Sequence, residues 1–197
     1  MKNILKLSFL AGFMMISASM MAKDSDFSLS FVNVKEKTIS FEVKNAEKVS
    51  LTVYSDADGE LYHEKVEKPG LAKKFYNFAE MPAGTYYLIA ESASKVEKYK
   101  IQVERNKVSL DKTPISEVSK PVYTVNGNMV NLHLPNVEGN ATVAVYDLAD
   151  NEYYNGVAKP VNGELNLKFD LDPASAEGYV ISIQNNGNVF NKVIALR

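Results

Sequence analysis

The 197-residue chain contains no cysteine and no tryptophan, and its only histidines are His63 and His133. Each scarcity removes a class of function. Without cysteine there is no disulfide, no thiol nucleophile and no thiolate metal site. An exported form must therefore rest on packing and strand pairing alone. His63 and His133 have no HxH or HxxxH spacing. A zinc site takes three or four ligands, so both read as ordinary strand histidines, and no metal or cofactor is expected. The same scarcity leaves a Ser-His-Asp arrangement without a choice of base. An excess of one charge is also missing: 22 Lys and Arg stand against 24 Asp and Glu, a net charge of −2. No phosphate-tracking surface follows from that balance, so nucleic acid is not an expected partner.

What is present begins with "MKNILKLSFLAGFMMISASMMA". Lys2 and Lys6 are followed by an apolar run from Leu7 to Ile16, then by small residues leading to Ala22. This pattern reads as a secretory signal peptide over 1–22, with a cut near Ala18 or Ser19 as the alternative. The apolar run falls short of the about 20 residues that a membrane span needs, so no span is expected after cleavage. No cysteine follows to carry a lipid anchor. Removal of the leader takes away two lysines and no acid, which leaves the mature chain more acidic than the whole. A cysteine-free exported chain suits a bacterial envelope, and the expected location is secreted or at the cell surface.

An internal repeat organises the remainder. "KTISFEVKNAEKVSLTVYSDADGELYHEKVEKP" from Lys37 matches "NMVNLHLPNVEGNATVAVYDLADNEYYNGVAKP" from Asn128, an offset of 91 that becomes 92 after one extra residue near Asn140. Tyr54 then meets Tyr146, Asp58 meets Asp150, Glu60 meets Glu152 and Tyr62 meets Tyr154. Farther on the offset is 93, and Tyr86 meets Tyr179 while Ile101 meets Ile194. A period of this length is too long for a solenoid unit and marks two complete domains.

Each copy reads as short strands of period-2 alternation separated by Asn-Gly, Asp-Gly and Pro-rich turns. No convincing helix appears. Seven strands in about 80 residues predict a small antiparallel sandwich. The expected fold is therefore all-β: two tandem seven-stranded antiparallel immunoglobulin-like β-sandwiches, over 23–104 and 121–197. Residues 105–120 are expected to be a linker, with a short strand at "KVSL". Alternation assigns Ile39, Phe41, Val43, Val49, Leu51, Val53, Leu88 and Ala90 to one core. Val130, Leu132, Leu134, Val143, Val145, Ile181 and Ile183 belong to the other.

The second copy, "ATVAVYDLADNEYYNG" followed by "LNLKFDLDPASAEGYVISIQNNGNVFNKVIAL", resembles the C-terminal sorting domain of the type IX secretion system of Bacteroidetes. The residues that carry the resemblance are Val145, Tyr146 and Asp147, then Gly178 and Tyr179, then Lys192, Val193 and Ile194. The family usually keeps a residue between this Gly and Tyr. The first copy has "GTY" there, and the second has the two adjacent. The resemblance covers about the last 60 residues and implies a folded address read by outer-membrane secretion machinery. If that signal is inactive, the chain would stay in the periplasm.

Other candidate sites are weaker. Asp56, Asp58 and Glu60, like Asp147, Asp150 and Glu152, offer oxygen ligands at a hairpin, but calcium takes six or more oxygens in a longer frame. Carboxylates at hairpin tips read first as solvated charges. No base, nucleophile and orienting group stand together, so the chain is not expected to be an enzyme. Tyr62, Tyr86, Tyr87, Tyr153 and Tyr154 lie on expected strands. Adjacent residues face opposite ways, so one ring of each "YY" pair should reach solvent. Such rings supply the alternative reading, an extracellular module that binds glycan or a surface protein.

Overall fold

The computed structural model describes residues 26–45, 48–67 and 70–195. The leader read over 1–22 lies outside the described residues, as do residues 196 and 197, onto which the closing strand is expected to run.

Sixteen strands and no helix make up the described residues. In the first module β1 (Ser28–Lys35), β2 (Thr38–Lys44) and β5 (Leu71–Asn77) form one sheet in the order β1-β2-β5. The facing sheet has the order β4-β3-β6-β7, with β3 (Val49–Ser55), β4 (Gly59–Val66), β6 (Gly84–Glu91) and β7 (Lys95–Val103). The stretch between the copies is not a free linker. It carries β8 (Val108–Leu110) and β9 (Ser116–Ser119), both antiparallel to β7. β8 pairs with Ile101–Val103 and β9 with Lys95–Lys98, so together they cover the outer edge of β7.

The second module repeats the plan. β10 (Val122–Asn126), β11 (Met129–Leu134) and β14 (Leu165–Asp170) form the three-stranded sheet. β12 (Ala141–Asp147), β13 (Glu152–Ala158), β15 (Gly178–Asn185) and β16 (Asn188–Ala195) form the other, in the order β13-β12-β15-β16. The correspondence reaches down to an irregularity. The β3–β4 ladder slips between Val53 and Tyr54, and the β12–β13 ladder slips between Val145 and Tyr146, the matching pair in the repeat. An extra residue placed identically in both copies is a built feature of the plan.

The alternation read from the sequence lands on the core in both modules. Ile39, Val43, Leu51, Leu88 and Ala90 are fully buried in one cluster, and Val130, Val143, Ile181 and Ile183 in the other. Burial of each large aliphatic side chain contributes about 1.5–3 kcal/mol, and there are two separate clusters rather than one merged core. The turns follow the predicted chemistry. Asn186 and Gly187 have φ of 47° and 76° between the paired Asn185 and Asn188, a two-residue turn whose hand matches strand twist.

Candidate functional site

The structure brings most of the sorting-like residues to one end of the second module. Asp147 pairs with Tyr179 across β12 and β15, Tyr146 pairs with Val180, and Lys192 lies on β16 opposite Ile181. Asp147 is buried, and its carboxylate closes the β12–β13 turn. It accepts the backbone N–H groups of Ala149 (2.8 Å) and Asn151 (2.9 Å), and the Asn151 Nδ2 (2.8 Å). The Asn151 side chain, its backbone N–H and that of Ala149 hold the Asp147 carboxyl below the usual carboxylate range. The first module has Ser55 in this place, and its Oγ accepts the Ala57 N–H at 3.2 Å. The role is local turn closure in both copies.

Tyr179 is buried, and its hydroxyl donates to the Asp172 carbonyl at 2.7 Å. Tyr86 does the same to the Pro82 carbonyl at 2.9 Å. A tyrosine at the start of this strand whose hydroxyl returns to upstream backbone is the corner device of immunoglobulin-like sandwiches. Gly178 is buried where it takes the place of Thr85 rather than of Gly84, because both sit beside the tyrosine. A Cβ at Gly178 would lie 3.1 Å from the Ile194 carbonyl oxygen and 3.2 Å from Leu148 Cδ1, so Leu148 packs into the space that the missing side chain leaves. Asp147, Gly178 and Tyr179 thus mark the fold itself. Their counterparts Ser55 and Tyr86, already visible in the repeat, carried that signal in the sequence. Lys192 differs: it is exposed, and its counterpart Tyr99 is buried.

The tyrosines divide as strand alternation requires. Tyr86 turns inward and Tyr87 outward. Tyr87 is not a free platform, because its hydroxyl meets Asp56 at 3.2 Å and the Lys98 ammonium lies 3.8 Å from its ring centre. The hydrogen bond to Asp56 pushes the Tyr87 phenol up. Tyr62 is exposed and rests edge-on against Tyr76 at 5.4 Å, and Tyr153 is exposed and rests edge-on against Tyr179 at 5.3 Å. Tyr154 packs against the second core. The rings are spread over both modules and form no single row.

The histidines lie on different modules, His63 on β4 against Thr52 Oγ1 (2.9 Å) and His133 on β11 against Asn166 Oδ1 (2.8 Å). Among the described residues no group of three or more His, Asp or Glu side chains is placed to hold a metal ion. A cleft of about 590 Å³ lies where β9 meets the 134–138 loop and the β15–β16 turn, lined by Glu117, Asn136, Asn188 and Phe190 among others. Asn136 also donates its Nδ2 there to the Ser119 Oγ at 3.0 Å.

The feature that the fold does not explain is the outer face of the second module's four-stranded sheet. In the first module this face carries His63, Lys65, Glu91, Lys98 and Lys100, on the opposite side from Leu51, Val53, Leu88 and Ile101. The matching positions in the second are Asn155, Val157, Gln184, Asn191 and Val193. Every titratable group of that set has become neutral. Val157, Val189 and Val193 are 64%, 56% and 59% exposed. Ala144 and Ser182 lie in the row between, with Asn155 and Asn191, and the row of Val193 ends on Glu152 beside Tyr146. Nothing in the local alternation of the strands singled out this face, since it emerges only when the two copies are set against each other.

No protein-family model and no curated protein matches the chain. Among solved structures, a biofilm-associated protein BSP domain aligns at 14% identity with a TM-score of 0.29, over 86% of this chain and 29% of that one. A Lactobacillus rhamnosus beta-glucuronidase aligns at 11% identity with a TM-score of 0.25, over 83% and 36%. The chain thus spans about a third of the length of these structures.

Proposed function

We propose that this chain is a non-catalytic exported protein of two tandem β-sandwich modules, and that its second module is read as a folded address by outer-membrane machinery of the type IX kind. The observation that carries the reading is the outer face of β13-β12-β15-β16, which keeps Glu152 at one end but has lost the lysines, histidine and glutamate of the matching set in the first module. Exposed aliphatic side chains with little charge among them are what a protein partner covers. The resemblance of the last 60 or so residues supplies the identity of that partner, and the leader read over 1–22 supplies the first export step.

The test is a fusion of residues 119–197 to a periplasmic reporter in a host with type IX machinery. The expected outcome is reporter outside the outer membrane, lost when Val157→Lys and Val193→Lys are combined while the circular dichroism of the purified fusion is unchanged. Retention of the unaltered fusion in the periplasm counts against the reading. The same face favours a second reading, adhesion to a surface protein. A glycan site finds less support, because the exposed Tyr62 and Tyr153 sit on different modules.

A further inference from the structure

We propose that the chain pairs with a second copy of itself through the outer edge of β16, so that two second modules share one continuous antiparallel sheet. The inference begins with the first module. There β7 has its outer edge covered by β8 and β9. β16 is the repeat counterpart of β7, and among the described residues no strand pairs with its outer edge.

β16 carries less of the charge that protects a free edge than its covered counterpart does, since its one lysine, Lys192, lies on the core-side face opposite Ile181. Natural sheets protect an exposed edge with charged side chains, lysine above all. The covered strand β7 carries Lys95, Lys98 and Lys100, and the uncovered strand has Asn188, Asn191 and Val193 at those places. Only Lys192 remains as a charge on β16, "NVFNKVIA". Its backbone edge and its exposed Val189 and Val193 are left open to pairing.

The strand is also complementary to itself. Side chains alternate, with Ile194 buried and Val189, Asn191 and Val193 on the outer face. Two antiparallel copies related by a twofold axis must set residues of the same face opposite each other. The register centred on Asn191 does this over nearly the whole strand. Val189 then faces Val193 of the second copy, Asn191 faces Asn191, and Phe190 faces Lys192. Each is a favourable or neutral cross-strand pair. The neighbouring register centred on Lys192 sets lysine against lysine and is disfavoured. One strand edge buries little, at or below the about 1,200 Å² of the smallest specific interfaces, so the dimer is weak, with a dissociation constant of about 1–100 µM.

The full chain is cysteine-free, so single cysteines report the register. Sedimentation of the unaltered protein should show a concentration-dependent dimer. Asn191→Cys should give a disulfide-linked dimer under mild oxidation, and the exposed His133→Cys on the other sheet should not. Val189→Lys combined with Val193→Lys should weaken the dimer at least tenfold while the circular dichroism spectrum and melting curve stay those of the folded protein. A chain that remains monomeric to about 500 µM, a dimer that the paired lysines leave intact, or equal crosslinking through Cys at 133 and 191 overturns the proposal. None of these outcomes depends on export of the reporter fusion.

Discussion

The two modules close the gap between β4 and β5, and between β13 and β14, in chemically opposite ways. In the first, Glu64 sits between the sheets and accepts the Tyr76 hydroxyl at 2.7 Å and the Lys74 ammonium. Burial and the Glu64 carboxylate push the Tyr76 phenol well above its ordinary value. The second module replaces Glu64, Lys74 and Tyr76 with Gly156, Leu167 and Phe169, and Tyr154 lies over the glycine. The first module uses the same trio again on β7. There the buried Glu97 accepts the Lys95 ammonium at 2.5 Å and the Tyr99 hydroxyl at 2.6 Å. One backbone plan thus tolerates polar or apolar closure, provided each is complete. A half-made polar cluster leaves a charge without its partner.

The largest expected effect breaks that completeness. Glu97→Ala should destabilise the first module by about 3 kcal/mol, because it strands Lys95 and Tyr99. Hydrogen exchange should speed up in β7 and stay unchanged in β15, and equal speeding in both would refute independent cores. The comparison sharpens at the other cluster. Glu64→Ala alone should cost more than Glu64→Gly, Lys74→Leu and Tyr76→Phe made together, because the triple change imports the second module's apolar solution. Chemical denaturation of the two variants decides between them.

Next come the tyrosine corners. Tyr86→Phe and Tyr179→Phe should each cost about 1 kcal/mol, each in its own module, if the hydroxyl does the same work in both. A smaller effect, of opposite sign, is expected at the first turn. Glu36 has φ 53° where the matching residue is Gly127 with φ 59°. A left-handed conformation costs a residue with a Cβ about 1–2 kcal/mol, and glycine loses about 0.5–1 kcal/mol of that advantage in backbone entropy, so Glu36→Gly should raise the stability of the first module by somewhat less than about 1 kcal/mol in denaturant titration. The smallest effect is on acid sensitivity. The folded Asp147 carboxyl titrates below its unfolded value, so its contribution is present above the ordinary carboxylate pKa of about 4 and is lost as pH falls through the folded value. Asp147→Ser, which imports the Ser55 arrangement, should flatten the acid limb of second-module stability measured by exchange.

The strands, the duplication and the turns were legible because each leaves a local trace. Period-2 alternation put Leu51 and Ile181 inside, Asn-Gly demanded the turn at 186–187, and the Tyr86/Tyr179 match exposed the repeat. The Glu64–Lys74–Tyr76 cluster was not legible, because its members approach across two sheets and no spacing along the chain records it. β9 was missed for another reason. "SEVS" has too few apolar side chains to announce a strand, and its place comes from the edge of β7 that it covers. Along the chain Asp147 and Tyr179 carry the resemblance to an address, and their turn-closing and corner roles show only in the fold. What distinguishes the second module, its sparsely charged sheet face, needed both copies folded side by side.

β9 also fixes how mechanical load would pass along the chain. Its last residue is Ser119, and β10 begins at Val122. Between them the Lys120 N–H is bonded to the Ser94 carbonyl at 2.7 Å, and its ammonium to Glu91 and to the Ser92 carbonyl, each at 2.7 Å. A tether this short and this firmly moored stores no slack. Tension or torque applied to one module reaches its neighbour at once, and the first give under load would come from peeling β9 off β7, ahead of either core.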